Sequence, residues 1–208
     1  MTRKLKASLL AVVALAAIGA VGATAAQAGE FTAAAYPATI TGQNVGGTHV
    51  FTTEAGQMNC NVTFHGEMAA ATNDLTLTPT YNCGLKGVQV DVDTNGCDYV
   101  FHTKETLVMD TVSGTMDITC PEGAKIDFEV TSMIPCNITV GEQLGLEALT
   151  YTDRTGLAND VDVHMSLSEI VYTNDMGCPG AGEHSNGTYT GKTTLKSDNE
   201  GTDAFMAE

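Results

Sequence analysis

Beyond residue 35 the chain alternates apolar and polar residues with a period of two, in short runs separated by turn-forming residues. Leu75-Thr-Leu-Thr-Pro-Thr-Tyr81 and Val88-Gln-Val-Asp-Val-Asp93 are the plainest examples. Strands are predicted over 36–41, 49–53, 58–64, 75–81, 88–93 and 97–103. The series continues over 115–120, 126–130, 136–140, 146–152, 160–166, 169–172 and 188–195. Helical periodicity is not sustained anywhere in this region, and only 141–149 could form a short helix. The pattern predicts an all-β fold, an antiparallel β-sandwich-like domain with little or no helix outside the leader.

Local detail is sharpest over 88–130, where a hairpin meander is predicted. Asn95-Gly96 offers the two positive-φ positions of a type I′ turn. A hairpin closed there sets Val92 against Tyr99 and Val90 against Phe101, all on one face. Setting Cys97 opposite Cys120 then places Tyr99 against Ile118 and Phe101 against Met116. A turn at Pro121-Glu-Gly123 brings Ile126 to Ile118 and Phe128 to Met116. The apolar residues share a face at every step, which supports the register.

The first 28 residues have the pattern of a cleaved signal peptide. Arg3, Lys4 and Lys6 precede an apolar run from Leu9 to Val21, and Ala26-Gln-Ala28 is a small-x-small cleavage site. The run is short of the ~20 residues a membrane span needs. With no twin arginine and no cysteine at the cleavage point, the expected route is general secretory (Sec) export, with residues 29–208 as a single secreted domain and no membrane span after cleavage. Short echoes such as Cys60-Asn-Val-Thr-Phe64 and Cys136-Asn-Ile-Thr-Val140 raise two related halves as an alternative, but the gaps between them differ.

The leader holds three of the nine basic residues and none of the 25 acids, so the secreted part has six against 25, a formal charge of −19. That excludes nucleic acid as a general partner, because phosphate contacts need clustered Lys and Arg. Six cysteines, an even number in an exported chain, predict three disulfides. The register above pairs Cys97 with Cys120. Of the remaining connectivities, Cys60–Cys83 with Cys136–Cys178 is adopted.

Several segments resemble a group of secreted actinobacterial proteins with a six-cysteine frame. They are Tyr36-Pro-Ala-Thr-Ile-Thr-Gly42, Leu75 to Tyr81 before Cys83, and Gly96-Cys-Asp-Tyr99. Ile118-Thr-Cys-Pro121 with Gly123, and Gly187-Thr-Tyr-Thr-Gly191, complete the set. The resemblance spans nearly all of the secreted part and rests on turns, strand ends and cysteines. It implies a secreted fold and carries no activity or cofactor; the polar, acidic tail departs from the pattern.

Chemistry is sparse. Asp91-x-Asp93-x-Asn95-Gly96 matches the opening of a calcium loop, but its twelfth position is His102 where a bidentate Glu is needed. In the predicted hairpin Asp93 faces Asp98 with Asp91 beside them. Like charges across a strand pair repel, and a weakly held Ca²⁺ would relieve them. Asp91, Asp93 and Asp98 are therefore the candidate metal ligands; no other cofactor is expected. The common hydrolase motifs are missing, the five histidines are scattered, and Trp is absent. The expected function is a secreted or envelope-associated non-catalytic structural or binding module with an extracellular or cell-wall partner. The alternatives are a secreted hydrolase using paired carboxylates and a weak calcium-binding domain.

Overall fold

The computed structural model describes residues 29–108, 111–154, 160–198 and 205–207. Among them there is no helix, and the strands are β1 (Phe31–Ala33), β2 (Ala38–Asn44), β3 (His49–Thr53), β4 (Gly56–Met68), β5 (Asp74–Leu85), β6 (Val88–Asp93) and β7 (Asp98–Val108). They continue with β8 (Thr111–Thr119), β9 (Ile126–Val130), β10 (Cys136–Val140), β11 (Gln143–Asp153), β12 (Val161–Asn174), β13 (Gly182–Ser197) and β14 (Phe205–Ala207). The segment considered for a helix is the irregular first half of β11, where Gly145 and Ala148 take positive φ and the register against β8 shifts twice.

Twelve strands form one antiparallel sheet that closes on itself. β6 and β7 run in the same direction along the same edge of β5, with Val90 opposite Cys83 and Tyr99 opposite Leu77. They are therefore one long stave of the wall, interrupted at 94–97. β2 and β3 form a second such stave along β4, β8 and β9 a third, and β10 and β11 a fourth. With β4, β5, β12 and β13 this makes eight staves, each hydrogen-bonded to the next in sequence, and β13 returns to β2 and β3. The topology is an up-and-down barrel, a closed form that leaves no unpaired sheet edge.

The interruptions at 45–48, 94–97, 120–125 and 141–142 fall at one level around the barrel, as the registers on either side require. β12 joins this waist with a register shift at Leu167/Ile170, where Glu169 has φ 58°. Extra residues bend a strand and raise its twist, so a belt of them helps the wall curve around a small core.

The predicted meander is corrected here. Asn95 (φ 50°) and Gly96 (φ 78°) do make the tight turn, with the Cys97 amide donating to Thr94 O at 2.8 Å. The strands then part: β6 pairs with β5 and β9, β7 with β5 and β8, and β8 does not pair with β9. The period-two pattern puts the same residues inward in either arrangement, so it could not choose between them. Tyr99 opposite Ile118 and Phe101 opposite Met116 stand as expected. All three disulfides are the expected ones, Cys60–Cys83, Cys97–Cys120 and Cys136–Cys178.

Inward positions carry the apolar half of each stave, among them Ile40, Met58, Val62, Leu75, Leu77, Phe101, Met116, Ile138 and Tyr151, all essentially buried. Outward positions are polar: Asn59, Asn61 and Thr63 on β4, and Thr76, Thr78 and Thr80 on β5, are exposed. A membrane barrel needs an apolar outer band, and the described strands do not provide one. Two glycines make room inside. A Cβ on Gly114 would meet His102 O and the Tyr151 ring at 2.3 Å, and one on Gly191 would meet the His49 ring at 2.5 Å. One end of the barrel is closed by β1 and β14, with Phe31 opposite Ala207 and the Phe31 ring edge-on to Tyr151 at 5.1 Å.

Candidate functional site

Small eight-stranded barrels either fill their interior with side chains or hold one small ligand there. This one is filled. The central apolar cavity, among Phe51, Tyr99, Met116, Phe128, Leu167 and Tyr189, measures about 20 Å³, room for about one water. A polar chain runs beside it. The Tyr81 and Tyr99 hydroxyls meet, and His49 Nδ1 lies 2.7 Å from Tyr189 Oη and its Nε2 3.0 Å from Thr193 Oγ1. Burial raises the Tyr99 phenol to about 12, and it also holds Tyr81 and Tyr189 well above their ordinary value. Burial also lowers His49 to about 4. The network is neutral and paired, so its role is to specify the core.

The sequence-predicted cation ligands are not brought together as expected. Asp98 accepts from Thr78 Oγ1 at 2.6 Å across β7 and β5, while Asp93 caps its own turn by accepting from the Asn95 amide at 2.8 Å. The like-charge opposition moves elsewhere: Asp91 faces Glu129 and Asp93 faces Asp127 on the outer wall of β6 and β9. Asn95 spans part of that ladder, its Nδ2 donating to Asp127 Oδ2 at 2.8 Å and to Lys125 O at 2.9 Å. Among the described residues, the one group of three potential metal ligands is Cys136, Asp175 and Cys178. Its two sulfurs are joined in a disulfide, and Asp175 Oδ1 accepts the Gly177 amide at 2.9 Å, which closes a turn.

Two further polar clusters hold the wall together. His102 lies between Asp74 (Nδ1 to Oδ1 2.6 Å) and Asp117 (Nε2 to Oδ2 3.0 Å) on the outer face of β5, β7 and β8. Partial burial alone would lower its pKa, but the two carboxylates outweigh it and the net shift is upward. At the barrel end opposite β1 and β14, the Tyr172 hydroxyl accepts the Glu54 amide and donates to Asn186 Oδ1, and Asn186 Nδ2 donates to Glu54 Oε1 at 2.7 Å. This closed ring of hydrogen bonds clamps the β3–β4 turn to β12 and β13.

The open space lies outside, along the waist, where the chain leaves the wall. The 45–48 loop stands over β13, tied down by the Val45 amide to Lys192 O at 2.9 Å. It is flanked by a groove of about 470 Å³ lined by His164, Ser166, Thr190 and Lys192, and one of about 430 Å³ lined by Thr41, Gln43, Arg154, Thr194 and Lys196. Val45 borders both. A third groove, beneath the 94–97 and 120–125 turns, is lined by Asn95, Glu122, Lys125 and Asp127.

Half of the six basic residues within 29–208 therefore meet where β11, β12 and β13 run side by side: Arg154 just past the end of β11, and Lys192 and Lys196 on β13. Asp162, largely buried, pairs with Lys192 Nζ at 2.8 Å and Arg154 Nε at 3.8 Å, and accepts from Thr194 Oγ1 at 2.6 Å. Desolvation opposes the ionised form of Asp162, but these partners outweigh it and its pKa falls. Asp160 pairs with Lys196 at 3.0 Å. Charge counting over the whole chain missed this group. Lys192-x-Thr194-x-Lys196 is legible as two cations on one strand face, but Arg154 joins them only through the pairing of β11, β12 and β13.

Fold and site together define a disulfide-stapled, filled up-and-down barrel whose accessible features lie on its outer wall. Compared with protein-family models, curated proteins and solved structures, the chain matches none.

Proposed function

We propose that this protein is an exported, non-catalytic binding module of the extracellular space or cell envelope, and that it recognises its partner with the outer wall of the barrel. The carrying observation is the contrast between a central apolar cavity of about 20 Å³ and waist grooves of about 430 and 470 Å³. Export is supported by three disulfides with no free cysteine among the described residues, a composition suited to an oxidising compartment. The leader-like start of the chain points the same way. Among the described residues no helix is long and apolar enough to cross a membrane. The partner is therefore sought among extracellular or cell-wall components.

The test is fractionation of the producing cells with an antibody to residues 29–208, followed by sedimentation of the purified domain with isolated envelope material. Retention in the envelope, and saturable sedimentation of the added domain, are expected. Protein found wholly free in the medium, with no sedimentation, would refute the binding role.

A further inference from the structure

Resting on that outer-wall reading, we infer that the paired grooves beside the 45–48 loop bind an anionic polysaccharide, a polymer bearing carboxylate or phosphate groups at regular spacing. The cations face outward and the acids lie beneath them. Arg154, Lys192 and Lys196 side chains are 52%, 36% and 57% exposed, whereas those of Asp162 and Asp160 are 14% and 8% exposed. The carboxylates thus fix the cations from below and leave the heads at the surface. Arg154 Nε lies 3.8 Å from Asp162 Oδ2 and the Arg154 side chain is half exposed, a planar cation of the kind that makes bidentate contacts with carboxylates and phosphates.

Spacing selects a polymer over a single ion. Lys192 and Lys196 lie four residues apart on one strand, so their Cα atoms are about 13 Å apart. A lone phosphate cannot span that distance, while a chain with repeated charges can. Beside the cations the exposed surface carries Thr41 and Gln43, a hydroxyl and an amide suited to sugar hydroxyls.

The placement of the acids adds direction. Asp91, Asp93, Asp127 and Glu129 lie on β6 and β9, three to four staves around the ring from β13 and β2. A polyanion is repelled from that side and meets the grooves on the other. The net charge of the molecule repels it at long range as well, and salt screens that repulsion beyond a Debye length of about 10 Å at 0.1 M. Affinity should therefore pass through a maximum as salt rises, and fall once the groove contacts themselves are screened.

The experiment titrates purified, oxidised residues 29–208 with polygalacturonate, phosphomannan, inorganic phosphate and neutral dextran, by calorimetry at several salt concentrations. Lys192→Gln/Lys196→Gln is compared with Lys86→Gln/Lys104→Gln, which removes the same charge away from the three grooves. Melting curves establish that both variants fold. One of the two polyanions should bind, identifying the carboxylate or phosphate source, with at least a tenfold loss in the first variant and less than threefold in the second. Binding of neither polyanion, equal loss in both variants, or equal binding of dextran would overturn the proposal. Dextran binding would still leave the outer-wall module standing. Ligand-free chain growth in light scattering, abolished by Lys192→Gln/Lys196→Gln and by Asp91→Asn/Asp93→Asn, would instead assign the grooves to the acidic wall of a second copy.

Discussion

Acid should destabilise this barrel through one residue, His49, before most carboxylates begin to titrate. The ring is fully buried, Gly191 lies against its face, and its nitrogens meet Tyr189 Oη, Thr193 Oγ1 and Lys192 O. Burial lowers its pKa from 6.5 to about 4, against which the contact with Lys192 O is a smaller, opposing effect. The folded value lies below the unfolded one, so the unfolded chain takes up the proton first. The stability tied to neutral His49 is complete above 6.5, and it is lost as pH falls from there towards 4. Linkage between these values gives a loss of about 2 kcal/mol between pH 7 and pH 5. For a domain of this size that corresponds to roughly 4–8 °C in melting temperature. The assay is urea unfolding of oxidised residues 29–208 at both pH values, beside His49→Gln, whose amide cannot titrate. The variant should be less stable at pH 7 and should show a shallower loss towards pH 5. Parallel curves for the two proteins, or an NMR titration placing the His49 ring near 6.5, would refute the reasoning.

Three further outcomes are expected. His102 acts with the opposite sign: Asp74 and Asp117 raise its pKa, so its contribution is complete below 6.5 and is lost as pH rises through the folded value. His102→Gln should therefore cost more at pH 5.5 than at pH 8.5, as thermal melts would record. Phe31→Ala empties the plug of the closed end and should cost about 3–5 kcal/mol in urea unfolding. Its effect should be less than additive with removal of residues 205–208, because β1 pairs with β14. Cys97→Ser/Cys120→Ser opens a bridge with a sequence separation of 23 and should cost about 3 kcal/mol in the same assay.

Much of the fold was legible because burial has a period. Alternation identified Val90, Val92, Tyr99, Phe101, Met116, Ile118, Ile126 and Phe128 as sharing the inner face, and setting Cys97 against Cys120 put Tyr99 opposite Ile118. Alternation cannot tell a hairpin from a stave interrupted by a turn. Both put Val90, Val92, Tyr99 and Phe101 on one face, and only the partner strand β5 distinguishes them, since it pairs with β6 along one half and β7 along the other. The misplaced cation site follows from the same ambiguity. Asp93 opposed Asp98 only in the hairpin; in the barrel Asp93 faces Asp127, and the residue joining them is Asn95, read first as a turn former. Arg154 lay beyond any local pattern, because 38 positions separate it from Lys192.

The waist interruptions supply the last step from fold to function. A barrel built for stability alone would keep its staves continuous, because each residue leaving the wall gives up ladder hydrogen bonds that must be satisfied in other ways. Here four staves leave the wall at one level. The side chains that re-satisfy the backbone are specific: Asn44 accepts the Val62 amide at 2.8 Å and donates to Gly47 O, and Asn95 donates to Lys125 O. The grooves described above border these interruptions, and one pair of them gathers half the positive charge of the strongly acidic stretch 29–208. Local departures from an otherwise consistent pattern are expected where a protein does its work. With a central core cavity of only about 20 Å³, the belt beside the 45–48 loop is the surface on which the proposed recognition is to be tested.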